Sequence, residues 1–133
     1  MQKGLVRFGY LHFAFLGQES QWAAEASECA GEQDAFWEYH DLLFDRWGGE
    51  NKGAFNQDNL KQFASELGLD ATAFSACLDS GKFTSIVQAE KTTAQSLGIR
   101  GTPAFLVNGK PVVGAQPFEA FQQVIEAELT ASQ

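Results

Sequence analysis

Two cysteines, two histidines and one Gly-Thr-Pro run hold most of the chemistry this sequence can offer. Thiol–disulfide exchange needs an accessible thiolate with a resolving thiol beside it, most compactly as Cys-x-x-Cys. Cys29 and Cys77 are far apart, neither belongs to such a motif, and no cation flanks either of them. Neither is therefore expected to be redox-active. Each lies on an apolar helical face, which suits a buried thiol or a structural bridge. His12 and His40 make no zinc-ligand spacing with the cysteines, so no metal site is expected. The tryptophans Trp22, Trp37 and Trp47 recur at helical spacings that predict burial, and no cofactor is implied. His40 shares a helical stripe with Phe36 and Leu43, which points to a core or rim position.

The elements that must position these residues follow from periodicity. Residues 5–15 alternate so that Val6, Phe8 and Tyr10 share one face and Leu11, Phe13 and Phe15 the other, the pattern of a strand covered on both sides. Five helical stretches come next. Residues 19–30 place Trp22, Ala26, Cys29 and Ala30 on one stripe, with Gly31 as the stop. Asp34 is read as the cap of a second helix, Asn56 of a third and Asp70 of a fourth, and residues 85–97 form the fifth, closed by Gly98. Ala104-Phe105-Leu106-Val107 and Pro111-Val112-Val113-Gly114 then form an antiparallel hairpin around an Asn108-Gly109 turn. Pro117 opens a last helix whose Phe118, Phe121, Val124, Ile125 and Leu129 are expected to face the core.

Composition excludes several function classes. The chain has 133 residues, the size of one domain, and its apolar content of 44% makes disorder a poor expectation. Net charge is −8 and the nine Lys and Arg are scattered, which argues against nucleic-acid and anionic-membrane surfaces. No apolar run approaches the roughly 20 residues of a membrane span. The apolar stretch 5–16 is interrupted by Arg7, Gly9 and His12 and has no cleavage site behind it, so it is not read as a signal peptide.

An ordered series of motifs resembles one family. It comprises His12-Phe13-Ala14-Phe15-Leu16-Gly17, residues 24–33 around Cys29, Phe36-Trp37-Glu38-Tyr39-His40-Asp41 and its continuation to 44, and residues 76–81 around Cys77. Gly98-Ile99-Arg100-Gly101-Thr102-Pro103 with the hairpin behind it and Gly114-Ala115-Gln116-Pro117 complete the series. In this order they are similar to the DsbA-like thiol–disulfide oxidoreductases. The kappa-class glutathione transferase group, of the same architecture, fits the hairpin region less well. The resemblance implies an α/β, thioredoxin-like fold of DsbA type with an all-helical insertion, here a single incomplete domain over 1–133. Residues 1–17 would supply a strand, 18–98 the insertion, and 99–133 the cis-proline hairpin and C-terminal helix.

The first strand of that family and the helix bearing its Cys-x-x-Cys have no counterpart in the sequence, so an N-terminally truncated domain without catalytic residues of its own is expected. By the same resemblance Gly101, Thr102 and Pro103 form the substrate-binding loop, with a cis bond before Pro103, and would take an extended or unfolded polypeptide. His12 would be a neighbour of the active site, although a His hydrogen-bonded at a core edge fits the residue pattern as well. Cys29 and Cys77 would form a structural disulfide within the insertion. An extracytoplasmic location, in the periplasm or cell envelope, accords with that bridge. The alternative reading is a non-catalytic peptide-binding or structural module. Apolar surface around Phe8, Tyr10, Leu11 and Phe13 leads to the expectation of a homodimer.

Overall fold

The computed structural model describes residues 1–133, which divide into two compact units: His12–Thr93, and Met1–Leu11 together with Ala94–Gln133.

The His12–Thr93 unit is helical. Its elements are α1 (Gln18–Gly31), α2 (Phe36–Asp45), α3 (Gln57–Glu66), α4 (Ala71–Asp79) and all but the last turn of α5 (Thr84–Ser96). The face of α1 at Ala23, Ala26, Cys29 and Ala30 is buried, and its small side chains let α2, α3 and α4 pack close. Asn56 and Asp70 cap α3 and α4 as expected: Asn59 N–H donates to Asn56 Oδ1 at 2.8 Å, and Ala73 N–H to Asp70 Oδ1 at 2.9 Å. Each such cap stabilises its helix by about 1 kcal/mol.

Asp34 has a different role from the expected one. It does not cap α2, whose N-cap is Ala35 without a side-chain acceptor. Instead it closes α1: its φ is 59°, and Ala35 N–H reaches back to Ala30 O at 3.0 Å. A left-handed residue followed by a six-residue return bond is a common helix ending, and Asp tolerates it better than most non-glycine residues. Gly31, expected as the stop just past the helix, is the last residue of α1.

Tyr39, Phe74, Leu60 and Cys29 are among the most deeply buried side chains, and they belong to a core formed by α1, α2, α3 and α4. On α2 the inward sector is Tyr39 with Leu42 and Leu43 packed beside it. Trp37 and Trp47 are 45% and 63% exposed, contrary to the burial expected from spacing, and Trp22 is half-buried. Spacing defines a stripe, but the neighbouring helices decide which stripe is covered.

The Tyr39 hydroxyl donates to Leu60 O at 2.8 Å, and burial pushes the phenol well above its ordinary range. The folded protein thus holds a proton that an unfolded chain sheds above about pH 10. The associated stability is fully present below that pH and falls as pH rises past it, by up to about 1.4 kcal/mol per pH unit. Tyr39→Phe is expected to cost about 1 kcal/mol at neutral pH and to remove this part of the alkaline slope. Urea unfolding of both proteins at pH 8 and pH 11 checks it, and identical slopes would refute the assignment.

The second unit contains β1 (Ala104–Val107), β2 (Lys110–Val113) and α6 (Phe118–Ala131). The strands are antiparallel, with Ala104 opposite Val113 and Val107 opposite Lys110. Asn108 and Gly109 have φ of 49° and 84°, the left-handed pair of a two-residue turn whose twist matches the strands. Phe105 meets Phe121 of α6 edge to face at 4.8 Å. Lys110 Nζ pairs with Glu128, and Asn108 Nδ2 donates to it at 3.3 Å. The bond from Lys110, and then the one from Asn108, holds the Glu128 carboxyl below its usual range. Phe118, expected in the core, is 73% exposed, while Phe121, Val124, Ile125 and Leu129 are half-buried.

The strand expected over residues 5–15 does not form. The sheet consists of β1 and β2 alone, and residues 6–15 have no regular secondary structure. Leu5, Phe8, Tyr10 and Leu11 are exposed by 60%, 50%, 41% and 60%. Alternating apolar residues favour a pleated, half-buried surface, but a strand needs a sheet to join.

Candidate functional site

Gly101, Thr102 and Pro103 form an exposed bend that leads directly into β1. The Thr102–Pro103 peptide bond is cis. Gly114 N–H donates to Pro103 O at 2.9 Å, which extends the hairpin by one bond beyond its register. Thr102 stands just outside that ladder. Its backbone N–H and C=O therefore lie at the open end of a two-stranded sheet, where an extended chain can add as a further strand.

His12, in the other unit, is 5% exposed. Its Nε2 is 2.8 Å from Glu28 Oε1 on α1, and its backbone N–H donates to Glu90 Oε2 on α5 at 2.6 Å. An ionised carboxylate only accepts, so Nε2 carries the proton in that bond. The Phe36 ring lies 6.1 Å away, edge on. The imidazole is thus oriented by one carboxylate while a second anchors its backbone, a geometry that fixes a tautomer and holds a proton at Nε2.

Sequence reasoning missed Glu28 and Glu90 as partners of His12, and it missed Glu25. Glu25 is 5% exposed on α1, where it accepts from Thr84 Oγ1 and from Gln21 Nε2, the latter at 3.3 Å. A signal was present for two of them. Glu25 and Glu28 fall among Ala26, Cys29 and Ala30, and a carboxylate on an apolar stripe must find a hydrogen-bond donor. Glu90 left no comparable trace.

Cys29 and Cys77 are joined by a disulfide with Cα atoms 5.8 Å apart, 1% and 7% exposed. Exchange requires a thiolate to reach one of the sulfurs, and both lie on buried residues. The bridge ties α1 to α4. His40 lies at the rim of α2, half-buried, 3.0 Å from Asp41 Oδ1. No three His, Cys, Asp or Glu side chains gather in a metal-holding group.

Comparison with known proteins relates this geometry to a family. The sequence profile of the DSBA-like thioredoxin domain matches residues 7–126. Disulfide bond formation protein D of Bacillus subtilis is 28% identical over 132 residues, which cover 97% of this chain and 60% of that protein. The Na(+)/H(+) antiporter NhaA of Herminiimonas arsenicoxydans is 35% identical over 105 residues, 79% of this chain and 16% of the antiporter. No helix of the present chain is long and apolar enough to cross a membrane. A thioredoxin-like oxidoreductase from Silicibacter pomeroyi matches in structure with a TM-score of 0.75 at 26% identity, over 90% of this chain and 66% of that one. The chain thus spans less than two thirds of the length of each of these relatives.

Proposed function

The chain belongs to the DSBA-like thioredoxin domain family and has its thioredoxin-like fold with a helical insertion, and on that premise we propose that it is the polypeptide-docking body of a protein disulfide oxidoreductase. The observation that carries this reading is the exposed Gly101-Thr102-Pro103 bend at the open end of the hairpin. An extended or unfolded polypeptide pairs there with the backbone of Thr102. The double anchoring of His12 supports its assignment as a neighbour of the exchanging thiols. The protein works outside the cytoplasm, a placement supported by the family and by a Cys29–Cys77 bridge that a reducing compartment would not sustain.

The 133 residues alone turn over no disulfides, because their only two cysteines are buried and bonded to each other. Insulin reduction with dithiothreitol is expected to proceed at the rate of the reductant alone. A faster rate, abolished by Cys29→Ser, would overturn this. Docking is tested separately, by titrating an unfolded, cysteine-free peptide and following backbone amide shifts. Perturbations centred on Thr102 and Ala104 are expected, and perturbations confined to other elements would refute the docking loop.

We further propose a homodimer with Phe8, Tyr10, Leu11 and Phe13 at its interface, a reading supported by the exposure of Phe8, Tyr10 and Leu11. Sedimentation across micromolar concentrations decides it, since a single concentration-independent monomer excludes self-association.

A further inference from the structure

The charges of the chain are unevenly divided between its two units. The unit of residues 1–11 and 94–133 holds three of the seventeen acids and four of the nine Lys and Arg. It thus has a surplus of one cation, although the chain as a whole carries −8. Its three acids, Glu119, Glu126 and Glu128, all lie on α6. Residues 94–118, which lead into the hairpin and form it, contain no acid and two cations, Arg100 and Lys110. Lys110 Nζ is paired with Glu128. Arg100 is exposed and takes part in no ion pair or side-chain hydrogen bond. The cation left without a counter-charge therefore stands two residues before Thr102.

The backbone on either side of Arg100 is fixed. Just past α5, Gly98 has a φ of 80°. Its N–H donates to Gln95 O and Ile99 N–H to Ala94 O, both at 3.0 Å, the paired return bonds of a helix closed on a left-handed residue. Three residues after Arg100, Pro103 O accepts from Gly114 N–H. Arg100 thus lies in a short span between two anchored points, about 7 Å of extended backbone from Thr102. A polypeptide paired with Thr102 passes within reach of its long side chain. Five N–H donors in a planar fork match a carboxylate, and the anchored backbone lowers the freedom lost when the two meet. A Lys or Arg of the docked chain would meet like charge there. Surface charges are screened beyond about 8 Å at physiological salt, so the cation beside the loop, not the net charge, sets the preference.

Resting on the docking loop proposed above, we infer that Arg100 is a specificity-determining residue of that loop. It selects polypeptide segments with an Asp or Glu side chain beside the residue that pairs with Thr102.

Three unfolded, cysteine-free peptides test this on the full chain, capped at both ends and differing only in a central Glu, Gln or Lys. A uniform Ser/Thr background makes every register available, and the amide shifts of Thr102 and Ala104 give each Kd. The Glu peptide is expected to bind about three- to fivefold more tightly than the Gln peptide, and the Lys peptide more weakly than either. The differences should shrink as salt rises. Arg100→Gln should erase this order and Arg100→Glu should reverse it. Lys52→Gln, which removes an exposed cation of the helical unit, should leave it intact. Equal affinities for the three peptides, or an order that survives Arg100→Gln, overturn the role of Arg100 and leave the docking loop standing. An order lost equally in Lys52→Gln overturns it in favour of diffuse charge attraction. Shifts that avoid Thr102 and Ala104 overturn the docking loop and the role of Arg100 together.

Discussion

Replacing Cys29 and Cys77 together with alanine is expected to lower stability by about 4 kcal/mol. The bridge closes a loop of 48 residues that includes α2, α3 and most of α4. Without it, the unfolded chain regains the freedom that the loop removes. Alanine is the right replacement because both positions are buried, and a serine hydroxyl there would add its own desolvation cost. Urea unfolding reads the effect as a fall in midpoint of about 2 M for a slope of about 2 kcal/mol/M. The bridge itself is checked by thiol titration in denaturant without reductant, where no titratable thiol is expected. Two titratable thiols would refute the bridge, and a stability loss below about 1 kcal/mol would show that α1 and α4 hold each other without it.

Local signals were legible, and partnerships formed over distance were not. Asn56 and Asp70 cap their helices, and Asn108-Gly109 makes its turn, through bonds within a few residues of themselves. The Gly-Thr-Pro bend was equally readable, because the hairpin follows it immediately. Asp34 was misread although it too acts locally. A short acid ahead of a helical pattern looks like an N-cap, and only the return bond from Ala35 to Ala30 reveals it as the end of α1. The stretch 5–15 was misread because alternation records a preference for a sheet, not the presence of one. Trp37 and Trp47 were misread because helical spacing alone does not say which stripe meets α1 and α3. The setting of His12 was the hardest to foresee. Its two carboxylates lie 16 and 78 residues away, and no spacing rule connects them.

Phe74→Ala is expected to be the most damaging single change in the helical unit, costing about 3–5 kcal/mol. Phe74 is 1% exposed and lies against Tyr39 with ring centres 5.5 Å apart. It sits on α4, a helix of nine residues. A helix that short is marginal on its own and depends on tertiary packing. Its attachments include the Asp70 cap, the bridge at Cys77, the buried side chains of Phe74 and Leu78, and the ion pair of Asp79 with Lys61. Phe74 and Cys77 are one turn apart, so their contributions are expected to couple rather than add. With the low end for the ring, the simple sum of ring and bridge is about 7 kcal/mol, and coupling of roughly 0.5–3 kcal/mol in either direction still leaves a loss equal to a large share of the roughly 5–15 kcal/mol by which domains are stable. The combined Phe74→Ala, Cys29→Ala, Cys77→Ala protein should therefore be largely unfolded at room temperature, while each parent stays folded. Far-UV circular dichroism and urea unfolding of all three proteins check it. A Phe74→Ala loss below about 1 kcal/mol would mean that the bridge and Leu78 alone keep α4 in place.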